Sequence, residues 1–363
     1  MGNGQQFELD LLASAREPAP LLRPVPGVPA LLVLEPGAGG LGPRPRAQKA
    51  QPSLVPRDAI TFDAFRLTLV QCRWHIAANM AATAEGHDHE GLHQLRVALR
   101  RLRVALSAFG GEFRTPQLEA LKLRAKSLAG QLAPARDLDV FASELFEPAA
   151  SANGSKEAFA VLRDRMEAQR RRAWNEVGAQ VTGPRFRIFM SDLAETIDRG
   201  PWPLAEARGR SAGKTLVALE LPARATAERM LSHRRRQAGK RAKNLDTLSD
   251  AARHELRIGL KKLRYTAEFF APLFERERVQ KFVSRLSRMQ DVLGAINDVA
   301  VARKILESLI AVDEPVYGAR AELSFAAGIV YGWHLERAEH AWRDAVSRWK
   351  KFADTKAFWI APE

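Results

Sequence analysis

His93-Gln-Leu-Arg96-Val-Ala-Leu-Arg100-Arg101-Leu-Arg103 and His254-Glu-Leu-Arg257-Ile-Gly-Leu-Lys261-Lys262-Leu-Arg264 are two copies of one pattern, 161 residues apart. In the first copy Leu92, Leu95, Leu99, Leu102 and Leu106 recur at spacings of three and four, the signature of a helix with one buried face. The basic positions follow a second row. Arg96, Arg100 and Arg103 stand at +3, +7 and +10 from His93, so they share a face and recur about every 5.4 Å along the axis. That row lies roughly 100° around the helix from the leucines, and the second copy repeats it with His254, Arg257, Lys261 and Arg264.

Working outward, the same offset pairs Phe109 with Phe270, Phe113 with Phe274, Arg124 with Arg285, Leu132 with Leu293 and Asp137 with Asp298. Between 93 and 140 no gap is needed, and twelve of the 48 positions are identical. A period this long is not that of a short solenoid repeat. It predicts an all-α protein built from two copies of one helical bundle, the products of an internal duplication, related by a pseudo-two-fold axis. Helical periodicity begins at Thr61, a plausible N-cap, and continues near 115–132, 137–147, 155–179 and 184–199. It resumes near 223–245, 250–271, 275–295, 298–311 and 315–350, after a Gly- and Pro-containing break at 200–221. The halves are therefore about 56–200 and 222–350, and 351–363 reads as a C-terminal tail. The first 55 residues carry nine prolines and no helical period, and read as a poorly structured segment with short extended pieces at Phe7–Leu12 and Ala30–Leu34.

Lys plus Arg exceed Asp plus Glu by 56 − 42, a net charge of +14. Almost all of that excess lies beyond residue 55. Like charges at helical spacing repel, and no acidic residue sits on the basic face of either copy to offset this. A row of cations suits a row of anions: Arg forks onto phosphate oxygens, and Lys supplies a point charge. A basic surface without a ligand is the plainer alternative, and the repetition of the row weighs against it. Arg236, Lys240 and Lys243 share a further helical face before the second copy, whereas Arg170-Arg171-Arg172 reads as a solvated run. Lys122, Arg124 and Lys126, with Arg285 and Arg288, widen the cationic surface. Asp137 and Asp298 read first as N-caps, and second as carboxylates that orient an arginine.

Other classes of chemistry leave no mark. The one cysteine, Cys72, excludes an internal disulfide framework and reads as a buried thiol. His87, His89 and His93 open a helix and make a weak case for a metal, so no metal and no cofactor is expected. There is no Gly-rich phosphate loop, no His-Glu-x-x-His and no nucleophile signature. No leader segment or membrane span shows, which fits a cytoplasmic protein without a membrane partner.

The two motifs, with Leu132-Ala-Pro-Ala-Arg136-Asp137 and Leu293-Gly-Ala-Ile-Asn297-Asp298 after them, resemble the CHAD domain, the conserved-histidine α-helical domain. The resemblance covers 58–350 and includes the closing stretch Ala326–Trp333. It implies paired four-helix bundles whose basic helices line a central groove or pore that binds inorganic polyphosphate, and association with polyphosphate granules. The residues so marked are His93, Arg96, Arg100, Arg101, Arg103, Lys126, Arg236, Lys240, His254, Arg257, Lys261, Lys262 and Arg264. Ser287 stands opposite Lys126 in the repeat, a departure. Many relatives also carry a CYTH domain, marked by Glu-x-Glu-x-Lys. Here Glu8-Leu-Asp10-Leu-Leu12 lacks the lysine, so residues 1–55 are at most a relic of it and triphosphatase activity is not expected. The alternatives are a non-specific nucleic-acid binder, which would interleave aromatics with its basic residues, and a phosphoanhydride-processing enzyme, which would need metal-holding carboxylates. Oligomeric state is left open.

Overall fold

A computed structural model describes residues 46–86, 88–112, 114–153, 156–199, 217–311 and 317–360. The extended pieces at 7–12 and 30–34, Phe113, most of the 200–221 break and His87 lie outside the described residues. Among those described there are eleven α-helices and no strand, only an isolated bridge between Ile60 and Pro222. The first seven are α1 (Thr61–Gly86), α2 (His89–Phe109), α3 (Pro116–Gln131), α4 (Ala133–Val140), α5 (Glu147–Asn153), α6 (Lys156–Val181) and α7 (Pro184–Arg199). The other four are α8 (Ala223–Arg241), α9 (Asp250–Phe269), α10 (Arg276–Ile310) and α11 (Tyr317–Ala353).

Local chemistry sets the helix starts. The Asp88 side chain accepts from the Glu90 N–H at α2, Thr115 from Leu118 at α3 ahead of Pro116, and Ser249 from Ala252 at α9. Thr61 departs from the N-cap expectation. It is the first residue of α1, and its hydroxyl donates to Leu221 O at 2.9 Å and meets Thr226 Oγ1 at 2.8 Å, which ties the start of α1 to the start of α8. Reciprocal backbone bonds, Thr61 N–H to Leu221 O and Ala223 N–H to Ala59 O, complete that clamp.

The starts of α1, α2, α3 and α6 recur in α8, α9, α10 and α11 at intervals of 223 − 61 = 162, 250 − 89 = 161, 276 − 116 = 160 and 317 − 156 = 161. One difference breaks the correspondence. The helix end expected near 295 is absent, and α10 runs unbroken for 35 residues. In the first half Pro134, which lacks an N–H and clashes with the preceding turn, separates α3 from α4; the equivalent position is Ala295, and the helix continues.

The halves share one core. Phe109 and Phe270, equivalent positions of the two copies, meet with ring centroids 5.6 Å apart, and Phe65 packs on Phe109 at 5.0 Å. A smaller cluster joins Phe141, Phe146 and Phe159 to Leu306, Leu323 and Val330, and takes in the Ala326–Trp333 stretch. Cys72 is buried as expected, and burial pushes its thiol up to about 12.

The described stretches at 351–360 and 46–55 need correction. Residues 351–360 are no loose tail: Phe352, Phe358 and Trp359 are buried against Phe282, and Arg278 donates to the carbonyls of Ala357 and Ile360. Three aromatics within eight residues drive that return to the core. Residues 46–55 lie along the bundle, with Val55 buried, Ser53 Oγ bonded to Phe269 O and Gln48 bonded to Asn79.

Candidate phosphate-binding cleft

The motif helices α2 and α9 pack against one another, so their basic rows approach from opposite halves. They do not enter one cleft equally. A cavity of about 790 Å³ is lined by His93 and Arg100 from α2 and by Arg257, Lys261 and Arg264 from α9. The α10 residues Gln290 and Asp298 and the α11 residues Trp333 and Arg337 close it. A second cavity of about 760 Å³ shares His93, Val97, Arg264 and Tyr265 with the first, so the two abut across those residues.

The electrostatics show how unusual this grouping is. Lys261 is surrounded by Arg100, Arg257 and Arg264. Burial first, then those guanidinium charges, pulls its ammonium down to about 6, and the nearby Asp298 offsets only part of this. Burial likewise lowers Arg257, whose Nε has no hydrogen-bond partner among the described residues. His93 is lowered by burial and then by Arg136. The site holds cations at a cost in their own protonation, and donors that no protein group takes up.

Asp137 and Asp298 do not cap helices, which corrects the first reading of them. The α4 cap position is Leu132, and Asp298 lies inside α10. Instead Asp137 approaches Arg96 at 3.8 Å, and both aspartates are raised, chiefly by burial. The alternative reading, a carboxylate that orients an arginine, describes Asp137. Asn297, one residue before Asp298, meets His254 Nδ1 at 3.0 Å.

Several sequence-marked residues stand elsewhere. Arg96 bends away from the cleft to Ala129 O at 3.2 Å, and burial lowers it to about 10. Arg101 is a structural residue: its side chain is 12% exposed, paired with Glu268 and stacked on Tyr265 and Phe269. Adjacent helix positions point about 100° apart, so Arg101 cannot share the face of Arg100. Lys262 is half-buried beside Arg234, Arg241 and Arg103, a second cationic patch on another side of α9. Lys126, Arg236, Lys240 and His254 are exposed and do not line the cleft. Arg170, read as solvated, instead bonds the buried Asp139 at 2.7 Å. His89 lies 2.9 Å from the same carboxylate, and no metal-holding group of three exists among the described residues.

Two contributors escaped the sequence reading, Gln290 and Arg337 in the wall; Arg136, part of the motif that follows the first basic row but given no site role, stands beside His93. Arg337 lies one turn beyond Trp333 on the noted closing helix, so its spacing from that stretch was a usable signal. The cleft is also not free of carboxylates, because Glu144, Asp291 and Asp298 reach it from neighbouring elements.

The CHAD domain family model matches residues 68–307, about two-thirds of the 363 residues. The chain belongs to the CHAD domain family. Among solved structures, the CHAD domain from the plant Ricinus communis is 27% identical, with a TM-score of 0.70, over 86% of this chain and 98% of that one. PptA from Streptomyces chartreusis shares the fold at 16% identity and a TM-score of 0.58, over 80% of this chain and all of its own. No curated protein matches the chain. For this CHAD protein no helix among the described residues is long and apolar enough to cross a membrane.

Proposed function

We propose that the protein binds inorganic polyphosphate in the cleft between α2, α9, α10 and α11, as a binding module without catalytic activity, and that this takes it to polyphosphate granules in the cytoplasm. The observation that carries the reading is the convergence of Arg100 with Arg257, Lys261 and Arg264, from two halves of the chain, in one concavity. A phosphate chain supplies an anion for each cation, accepts from the unpartnered Arg257 Nε, and restores the Lys261 charge. The arrangement is consistent with duplication of one basic helix to make a two-walled site. The carboxylates in the wall do not converge in the threes a metal would need among the described residues, which favours binding over phosphoanhydride chemistry.

Competition tests this. Long polyphosphate, single-stranded DNA and heparin titrated against one labelled polyphosphate should rank polyphosphate first. The logarithm of its affinity should fall steeply and linearly with the logarithm of salt, as counterions are released. Equal displacement by DNA would replace the proposal with general polyanion binding.

A further inference from the structure

A third concavity lies on the seam between α10 and α11, apart from the central cleft and the cavity that abuts it. These helices run antiparallel, since α10 residues 290–299 share the central cleft with α11 residues 333–341, while 285–288 share this further cavity with 344–352. This third cavity, about 550 Å³, is lined by Arg285 and Arg288 on one helix and by Arg348 and Lys351 on the other, above the buried Phe352. Asp344 is the one acidic residue of the wall, so the local balance is 4 − 1 = +3.

The cations are held in different ways. Arg348 is braced by Asp344 at 2.6 Å, and Arg285 by Thr355 Oγ1 at 2.8 Å and Lys351 O at 3.4 Å. Among the described residues, the Arg288 and Lys351 side chains have no ion pair or hydrogen bond. Two braced arginines and two uncommitted cations thus face each other across a groove, at i,i+3 spacing on each wall. Two braced forks, one free fork and one free point charge suit an anion with several tetrahedral oxygens on adjacent centres. None of these residues lines the central cleft.

We propose that this groove is a second anion site, which takes a short run of two or three phosphoryl groups. The run comes either from the end of a long chain seated in the central cleft or from a free oligophosphate. The proposal uses no residue of the central site, so the two stand or fall separately.

Isothermal titration of tripolyphosphate into the full chain at low salt tests it, with the wild type, the double variant Arg288→Glu/Lys351→Glu, its milder form Arg288→Gln/Lys351→Gln, and Lys261→Glu. The wild type should show two sites. Both double variants should lose one and keep the affinity of the other, with unchanged helicity by circular dichroism because both side chains are exposed. Lys261→Glu should remove the other site. If the groove holds the end of a long chain, Arg288→Glu/Lys351→Glu also weakens long polyphosphate about tenfold through lost effective concentration. If it takes free oligophosphate, that affinity stays as it was. A tripolyphosphate isotherm unaltered in both double variants overturns the proposal, whatever Lys261→Glu does.

Discussion

Binding of polyphosphate should take up a proton at Lys261. In the free protein its ammonium is pulled down to about 6 by burial and by Arg100, Arg257 and Arg264. At pH 7 the amine is then mostly neutral, and charging it costs on the order of 1 kcal/mol, more at pH 8. A polyanion in the cleft favours the ammonium and raises its pKa, so the complex holds more protons than the free protein. By linkage the affinity falls as pH rises: nearly flat below pH 6 for this group, then about tenfold weaker per unit until the pKa of the complex is reached. The assay is calorimetry of long polyphosphate at pH 7.5 in two buffers of different ionisation enthalpy, for the wild type and Lys261→Met. The difference in uptake between them should approach one proton, which separates Lys261 from the contribution of His93. The variant should also lose most of the pH dependence. Equal proton uptake in the two proteins would refute the burial argument for Lys261.

Two further outcomes follow from where the other residues sit. Arg101→Ala should lower stability by about 2–3 kcal/mol in urea titration, because Glu268 loses a partner in a mostly buried setting, while the polyphosphate Kd changes less than threefold. Truncation after Lys350 should abolish cooperative thermal unfolding: Phe352, Phe358 and Trp359 each contribute about 2 kcal/mol of burial, comparable in sum with the whole stability of many domains. A sharp transition in the truncated chain would restore the view of residues 351–363 as a tail.

The helical class and the membership of the basic rows were legible because leucine spacing and charge spacing are local properties of one helix. So was the start of α9, expected near 250 and found at Asp250 behind the Ser249 cap. What the rows face was not local. Arg96 and Arg100 share a face of α2, yet Asp137 arrives on α4 beside Arg96 and turns it from the cleft, while Arg100 meets Lys261 across the helix pair. Arg101 belongs to the motif string by position alone; its environment is made by Glu268, Tyr265 and Phe269 of α9. The expected helix end near 295 failed for a legible reason, since no proline occupies the second copy at the place of Pro134. The C-terminal residues were misread because three aromatics in a short polar stretch carry no periodicity, although their burial is what an apolar side chain in water calls for.

The most direct measurement is the affinity of long polyphosphate for Arg100→Glu, Lys261→Glu and the double variant, with melting temperature recorded for each. The two residues come from different helices and different halves of the chain, and meet in one cleft. Each single change should weaken binding at least tenfold, about 1.4 kcal/mol, and the double change by less than the sum, because both contact one ligand. Melting temperatures should move little, since neither side chain is in the apolar core. Full-strength binding by a folded double variant would contradict the assignment of the cleft.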